Sequence, residues 1–102
     1  QWTRAKGSDT FCPIGPYLSD EVSPDNLQLT TTVNGHVRQH ESTAQLIWSV
    51  GALLAFITQG MTLLPGDVVT TGTPAGVGPL SDGDLVAITI EGLGTLSNPV
   101  TA

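Results

Sequence analysis

The single lysine of the chain, Lys6, is the first residue whose chemistry could serve a reaction. It stands in the sequence Thr3-Arg4-Ala5-Lys6-Gly7-Ser8-Asp9. A lone ammonium beside a glycine can hold a carboxylate or enolate oxygen as a point charge. Because lysine side chains are seldom buried, a solvated surface lysine is the plainer interpretation of this local pattern.

A glycine-rich segment, Thr70-Thr71-Gly72-Thr73-Pro74-Ala75-Gly76-Val77-Gly78, is the second candidate. Glycine lets the backbone approach a ligand closely, so that N–H groups near Gly72 can point at an anion, and the Thr73 hydroxyl adds a donor. The common nucleotide-binding patterns do not fit, because Gly-Lys-Ser/Thr is absent and Pro79 follows Gly78 in place of a helix. The local pattern leaves an anion site and a plain glycine-rich turn equally open.

Possible metal ligands are scattered along the sequence. Glu21, Glu41 and Glu91 lie far apart, and no E-x-E pair occurs, whereas hard cations prefer clustered carboxylates. His36 and His40 flank a short predicted strand at even spacing and could share a face, but a zinc site needs further ligands. The sequence therefore predicts no metal ligand within this chain.

Composition excludes several classes of partner. The 102 residues contain three Lys and Arg against nine Asp and Glu, a net charge of −6. Three cations cannot supply a surface that tracks phosphates, so nucleic acid and anionic membranes are excluded as main partners. The longest apolar stretch, residues 46–57, is too short to span a bilayer. A single cysteine cannot form an internal disulfide, which favours a reducing, cytoplasmic location.

Hydrophobic alternation and turn signals predict a mostly β chain. Residues 27–33 alternate apolar and polar side chains as a half-buried strand does, and Asn34-Gly35 is a strong hairpin signal before a returning strand at 37–39. Residues 68–71 and 85–90 are further predicted strands, with a last short strand near 95–96. Prolines keep residues 1–25 irregular.

One helix is predicted over about residues 43–59. Ser42 and Gln45 have the spacing of a capping box, and apolar side chains follow at helical intervals. With the strands, this helix indicates a single domain of the α+β class, mostly β, with one helix packed on the sheet.

Several motifs, taken in order, resemble the fumarylacetoacetate hydrolase superfamily, in the C-terminal part of its catalytic domain. They are Arg4-Ala5-Lys6-Gly7-Ser8-Asp9-Thr10-Phe11-Cys12-Pro13-Ile14-Gly15-Pro16, Val33-Asn34-Gly35 with Arg38-Gln39, and the segments 61–67, 71–78 and 90–96. The similarity covers essentially the whole chain. Several motifs in one order are far more specific than any one of them.

The resemblance implies a mixed β-roll of the family's type, of which residues 1–102 form the C-terminal portion of a single catalytic domain. Members cleave, isomerise or decarboxylate small 2-keto or 2-hydroxy-dienoate acids with Mg²⁺ or Mn²⁺. The most similar are bacterial members that isomerise 2-hydroxyhepta-2,4-diene-1,7-dioate or hydrolyse acylpyruvates. By this similarity Lys6 is a catalytic ammonium that also binds substrate, Gly72 and Thr73 bind the substrate carboxylate, and the enzyme is a homodimer.

The chain departs from the family pattern at its start. The family's metal ligands, an E-x-E pair and a downstream aspartate, and its catalytic His and Glu all precede the lysine motif. The chain is therefore expected to be a fragment, incomplete at the N-terminus and inactive alone. The alternative hypothesis is a non-catalytic, acidic, β-rich module that binds a partner or self-associates.

Overall fold

The computed structural model describes residues 1–101. Four strands form one antiparallel sheet in the order β2-β1-β3-β4, which confirms the α+β, mostly β class. In chain order the elements are α1 (Trp2–Lys6), β1 (Gln28–Val33), β2 (His36–Ser42), a 3₁₀ turn (Thr43–Gln45), α2 (Val50–Ile57), β3 (Leu85–Ile90) and β4 (Gly94–Pro99).

The β1–β2 hairpin forms where Asn34-Gly35 predicts it. Asn34 has φ 51° and Gly35 has φ 78°, so both turn residues lie in the left-handed region that a tight hairpin turn requires. Val33 faces His36 across the turn. Local sequence alone is enough to set this register.

A β-bulge interrupts the hairpin at Arg38. Thr31 faces Gln39 and Thr32 faces Val37, so Arg38 has no partner on β1. Because of the bulge, the two histidines lie on opposite faces of the sheet and do not share a face, as their spacing had suggested they could. His40 lies opposite Thr30 and His36 lies opposite Val33, and positions 30 and 33 point to opposite sides of the sheet.

The predicted helix over residues 43–59 is shorter in the structure and begins later. The Ser42 hydroxyl accepts from the Ala44 N–H and caps only the 3₁₀ turn, and Leu46 is extended (φ −58°, ψ 133°). The helix α2 begins after Ser49, whose hydroxyl accepts from the Ala52 N–H at 3.2 Å. Two serine caps thus divide the apolar stretch, and between them Ile47 and Trp48 expose their side chains while Leu46 is half-buried.

Two other segments differ from expectation. Residues 1–25 contain the short helix α1, which ends at Gly7 before the first proline. Residues 68–71 are not a strand, because no strand within residues 1–101 pairs with them, and β-branched residues form strands only against a partner. Within the same described residues, no helix reaches the length and apolar character needed to cross a membrane.

The molecule exposes much more surface than a folded monomer of its mass. Its accessible area is 8116 Å², against about 5,500 Å² expected for 10.6 kDa. Across residues 1–101 no hydrophobic side chain is buried, and Leu18 and Ile47 are 89% and 90% exposed. The radius of gyration is 14.7 Å, against about 13 Å for a compact domain. An excess of about 2,600 Å² of surface, rich in apolar side chains, is left uncovered.

Candidate functional site

An open cavity of about 530 Å³ lies between the start of β1, the segment after β2 and the glycine-rich loop. Its apolar wall is formed by Leu29, Leu53 and residues 46–48. The end of β2 and the 3₁₀ turn contribute polar lining residues, and residues 71–75 of the glycine-rich loop supply hydroxyl and backbone groups; the polar residues before the loop are Glu41, Ser42, Thr43 and Gln45. A largely apolar cavity with a few polar groups is typical of a small-molecule site.

The glycine-rich loop has the backbone conformation that its sequence indicates. Gly72 has φ +97°, and a Cβ built on it would have no heavy atom within 4 Å. Open space therefore lies on the side of Gly72 where a side chain would stand, and Gly72 and Thr73 both border the cavity. The structure thus places these two predicted binding residues together at one rim.

The Thr73 side chain is held by β2. The Gln39 side-chain nitrogen Nε2 lies 2.8 Å from Thr73 Oγ1 and 2.9 Å from the Pro74 carbonyl oxygen. Gln39 is half-buried, whereas Thr73 is exposed. The Arg38-Gln39 pair occurs among the sequence motifs, but its contact with a loop 34 residues away has no signal in the sequence.

A second close contact fixes the loop two residues further on. A Cβ built on Gly76 would overlap the Arg38 carbonyl oxygen and lie 3.0 Å from Gln39 Cγ. Gly76 also has φ +105°, a conformation that L-residues rarely adopt. Only glycine can therefore occupy this position, where the loop crosses the bulge of β2.

A smaller cavity of about 260 Å³ lies between this loop and the sheet. Thr31, Val33, Val86 and Ile88 line it from β1 and β3, and residues 76–78 line it from the loop. Arg38 borders it as well, so a guanidinium lies beside the glycine-rich segment. The loop therefore rests on one face of the sheet.

Lys6 is not among the residues that border either cavity. It is the last residue of α1, and every residue of that helix is exposed. The structure therefore brings together Gly72 and Thr73 but does not bring Lys6 to them.

The residues that the structure describes do not fit a divalent metal. Within residues 1–101, no group of three or more His, Cys, Asp or Glu side chains could hold a metal ion. Magnesium and manganese need several oxygen ligands around one point.

Comparison with known proteins identifies similar sequences and structures over nearly the whole chain. The family model described as fumarylacetoacetate (FAA) hydrolase C-terminal matches residues 1–101. A Mycobacterium tuberculosis protein is 58% identical over 103 residues, which cover 98% of this chain and 39% of that protein.

Two solved structures are also similar. The 2-hydroxyhepta-2,4-diene-1,7-dioate isomerase of Mycobacterium marinum has 61% identity and a TM-score of 0.96, covering 99% of this chain and 40% of that one. The maleylpyruvate hydrolase of a Sphingobium species, solved with manganese(II) and pyruvate, has 41% identity and a TM-score of 0.87, covering 91% and 36%. The chain thus spans about two fifths of the length of these relatives.

Proposed function

Because the chain belongs to the fumarylacetoacetate hydrolase family, we propose that it supplies the carboxylate-binding part of an active site for small 2-keto or 2-hydroxy-dienoate acids. The reactions in question are acylpyruvate C–C hydrolysis, isomerisation of 2-hydroxyhepta-2,4-diene-1,7-dioate and oxaloacetate-type decarboxylation. The observation that carries the proposal is the position of Gly72 and Thr73 at the rim of a largely apolar cavity. The activity proposed is that of an enzyme of the relatives' full length, with residues 1–102 as the C-terminal portion of one catalytic domain.

Gly72 and Thr73 would bind the substrate carboxylate. A hydroxyl donor and backbone N–H groups at an exposed rim can make charge-assisted hydrogen bonds to a carboxylate. The apolar wall formed by Leu29, Leu53 and residues 46–48 would then accommodate the carbon chain of the acid. These contacts bind and orient the substrate.

Lys6 would act on the reacting oxygens. When a carbonyl becomes an enolate or oxyanion, negative charge develops on oxygen, and a positioned ammonium stabilises it. Lys6 is exposed at the end of α1, next to a glycine, where an ammonium can meet a substrate held by other elements. Lys6 borders neither of the two cavities described above, so this role requires other residues of the enzyme to hold the reacting oxygens next to Lys6.

The divalent metal of such an enzyme would be held by residues other than those of this chain. The manganese in the maleylpyruvate hydrolase structure supports a metal in the family, and Mg²⁺ or Mn²⁺ is the proposed ion. The ligands would be an E-x-E pair and an aspartate in the part of the enzyme that this chain does not span. When bound, such an ion polarises the substrate carbonyl.

The exposed apolar surface supports further polypeptide around this chain. About 2,600 Å² of excess surface is more than a standard protein interface buries, so it can accommodate the rest of a catalytic domain, a homodimer contact, or both. The acidic net charge supports small carboxylates and protein partners over nucleic acid. The single cysteine supports a cytoplasmic location.

The test is a chimera in which this chain replaces the matched two fifths of the Mycobacterium marinum isomerase. With Mn²⁺, we expect turnover of the dienoate diacid or of an acylpyruvate. Lys6→Ala should lower kcat by about 10²–10³-fold, and Thr73→Val should raise KM. Arg4→Ala, which removes a cation from the same exposed helix, is the matched control. A chimera that folds and turns over substrate equally well without Lys6 would contradict the catalytic role.

A second candidate function, a non-catalytic module that self-associates, is favoured by the uncovered apolar surface. The outer strands β2 and β4 also present unpaired edges to a partner strand. Sedimentation of the 102-residue chain, together with a pyruvate titration, distinguishes the two functions. Stable oligomers that bind no keto acid would favour the module, whereas pyruvate binding at Gly72 and Thr73 would favour the enzyme.

A further inference from the structure

The hydrogen bonds of Gln39 determine which way the Thr73 hydroxyl can donate. The Pro74 carbonyl can only accept, so the end of the Gln39 amide that faces it must be the NH₂ group. The second hydrogen of the same NH₂ group then points at Thr73 Oγ1, 2.8 Å away. Both hydrogens of the amide are used, and its orientation is fixed.

Thr73 must therefore accept from Gln39. A hydroxyl has one hydrogen and two acceptor sites, and Gln39 occupies one acceptor site. The hydroxyl hydrogen stays available for another acceptor, and accepting a bond polarises the O–H so that it donates more strongly. Thr73 borders both cavities, whereas Gln39 borders only the smaller one and so approaches Thr73 from that side.

From this arrangement we infer that Gln39 is a positioning residue, which fixes the Thr73 side chain and directs its hydroxyl hydrogen to a carboxylate at the rim of the larger cavity. The inference rests on the proposed function, because it names the residue that orients the proposed carboxylate site. The Gln39 Cγ and the Arg38 carbonyl both lie beside Gly76. These two contacts keep the loop next to Gln39. Gln39 itself need not touch the ligand.

The first measurement needs no ligand. In the 102-residue chain, the scalar couplings of Thr73 should report one side-chain rotamer, and Gln39→Met should average it, because methionine has similar length but no N–H donor. Gln59→Met, at an exposed position beyond α2, is the matched control. An unchanged single rotamer of Thr73 in Gln39→Met would overturn the inference, whatever the chain binds.

The second measurement titrates sodium pyruvate against the Gly72 and Thr73 amide resonances. Gln39→Met should weaken binding about tenfold or more, since it removes the group that orients a charge-assisted donor. Gln39→Glu should weaken it further at pH 6, because a carboxylate would draw the hydroxyl hydrogen away from the ligand. Measurable and equal affinity in all three chains would overturn the inference.

A pH series separates positioning from a general loss of structure. A protonated carboxyl donates one hydrogen bond, so binding to Gln39→Glu should recover between pH 6 and pH 4, near the ordinary glutamate pKa of about 4.3. Gln39→Met should not recover, and Gln59→Glu should bind as the unmodified chain does throughout. Failure of the unmodified chain to bind pyruvate, with the Thr73 rotamer still dependent on Gln39, would overturn the carboxylate site and leave the positioning role confirmed.

Discussion

The side chain of Asn34 joins the hairpin turn to Asp84, fifty residues away along the chain. Its Nδ2 donates to Asp84 Oδ1 at 2.8 Å, and its Oδ1 accepts from the Leu85 N–H at 2.9 Å. The Asn34 backbone N–H also donates to the Leu85 carbonyl at 2.9 Å. One turn residue thus aligns the β1–β2 hairpin with the first residue of β3.

Asp84 makes stability depend on acid. The Ser81 backbone N–H, at 2.8 Å from Oδ2, and then the Asn34 side chain hold the pKa of Asp84 below its ordinary value, because both favour the charged carboxylate. A lowered pKa means that the stabilisation is present above the unfolded-state pKa and is lost as pH falls through the folded-state pKa. We expect the melting temperature of Asp84→Asn to fall less steeply below pH 4 than that of the unmodified chain.

The matched control for this prediction is Asp20→Asn, an exposed loop carboxylate. It should keep the acid dependence of the unmodified chain. Identical acid profiles for Asp84→Asn and the unmodified chain would show that the turn does not depend on the Asp84 charge.

Replacing Asn34 separates its backbone role from its side-chain role. Asn34→Gly keeps the left-handed turn but loses both side-chain bonds, to Asp84 and to the Leu85 N–H, and the loss of the second alone costs about 1 kcal/mol. Asn34→Ala loses the same two bonds and adds left-handed strain of about 1–2 kcal/mol at φ 51°. Urea unfolding should therefore rank the unmodified chain above Asn34→Gly and Asn34→Ala last. The reverse order of the two variants would contradict the turn geometry.

Gly76→Ala should destabilise the chain more than Gly66→Ala. Both glycines have positive φ, +105° and +97°, and both substitutions should cost about 1–2 kcal/mol for that conformation. Only at Gly76 would the new Cβ meet the Arg38 carbonyl, whereas Gly66 has open space around it. Overpacking should add about 1–3 kcal/mol. Equal unfolding free energies for the two variants would mean that the loop does not lie against β2.

Gly72→Ala should affect binding more than stability. Gly72 and Gly66 share φ +97° and open surroundings, so alanine should lower the unfolding free energy equally at both positions. Of these two glycines, only Gly72 borders the larger cavity. In a pyruvate titration we expect Gly72→Ala to lose affinity and Gly66→Ala to keep it. Loss of affinity in both variants would indicate that the effect comes from stability and not from the site.

Local chemistry made much of this fold predictable. Asn34-Gly35 determines a tight turn because both residues tolerate left-handed conformations. The alternation in residues 27–33 and 85–90 determines which side chains lie on the same face of the sheet. Gly72 and Thr73 were also visible in the sequence as a pair, because they are neighbours in the chain. Such features depend on residues only a few positions apart.

The start of the helix and the absence of a strand at residues 68–71 were decided by the tertiary structure. Ser42 has the sequence pattern of a capping box, but the chain leaves the helical path at Leu46, so α2 begins only after the second cap, Ser49. The β-branched run at 68–71 has strand propensity, but propensity gives no hydrogen bonds without a neighbouring strand among the described residues.

The sequence by itself determined the turns and the strand faces, and it singled out Gly72 and Thr73 as candidate binding residues. Only the tertiary structure decided what holds that rim, because the Gln39 amide meets Thr73 and Pro74 across 34 and 35 positions of the chain. It also decided that Gly76 must be glycine, since the obstacle is the Arg38 carbonyl, a backbone atom that every residue carries. Contacts of this kind depend on where two distant segments cross, and no residue type announces that crossing.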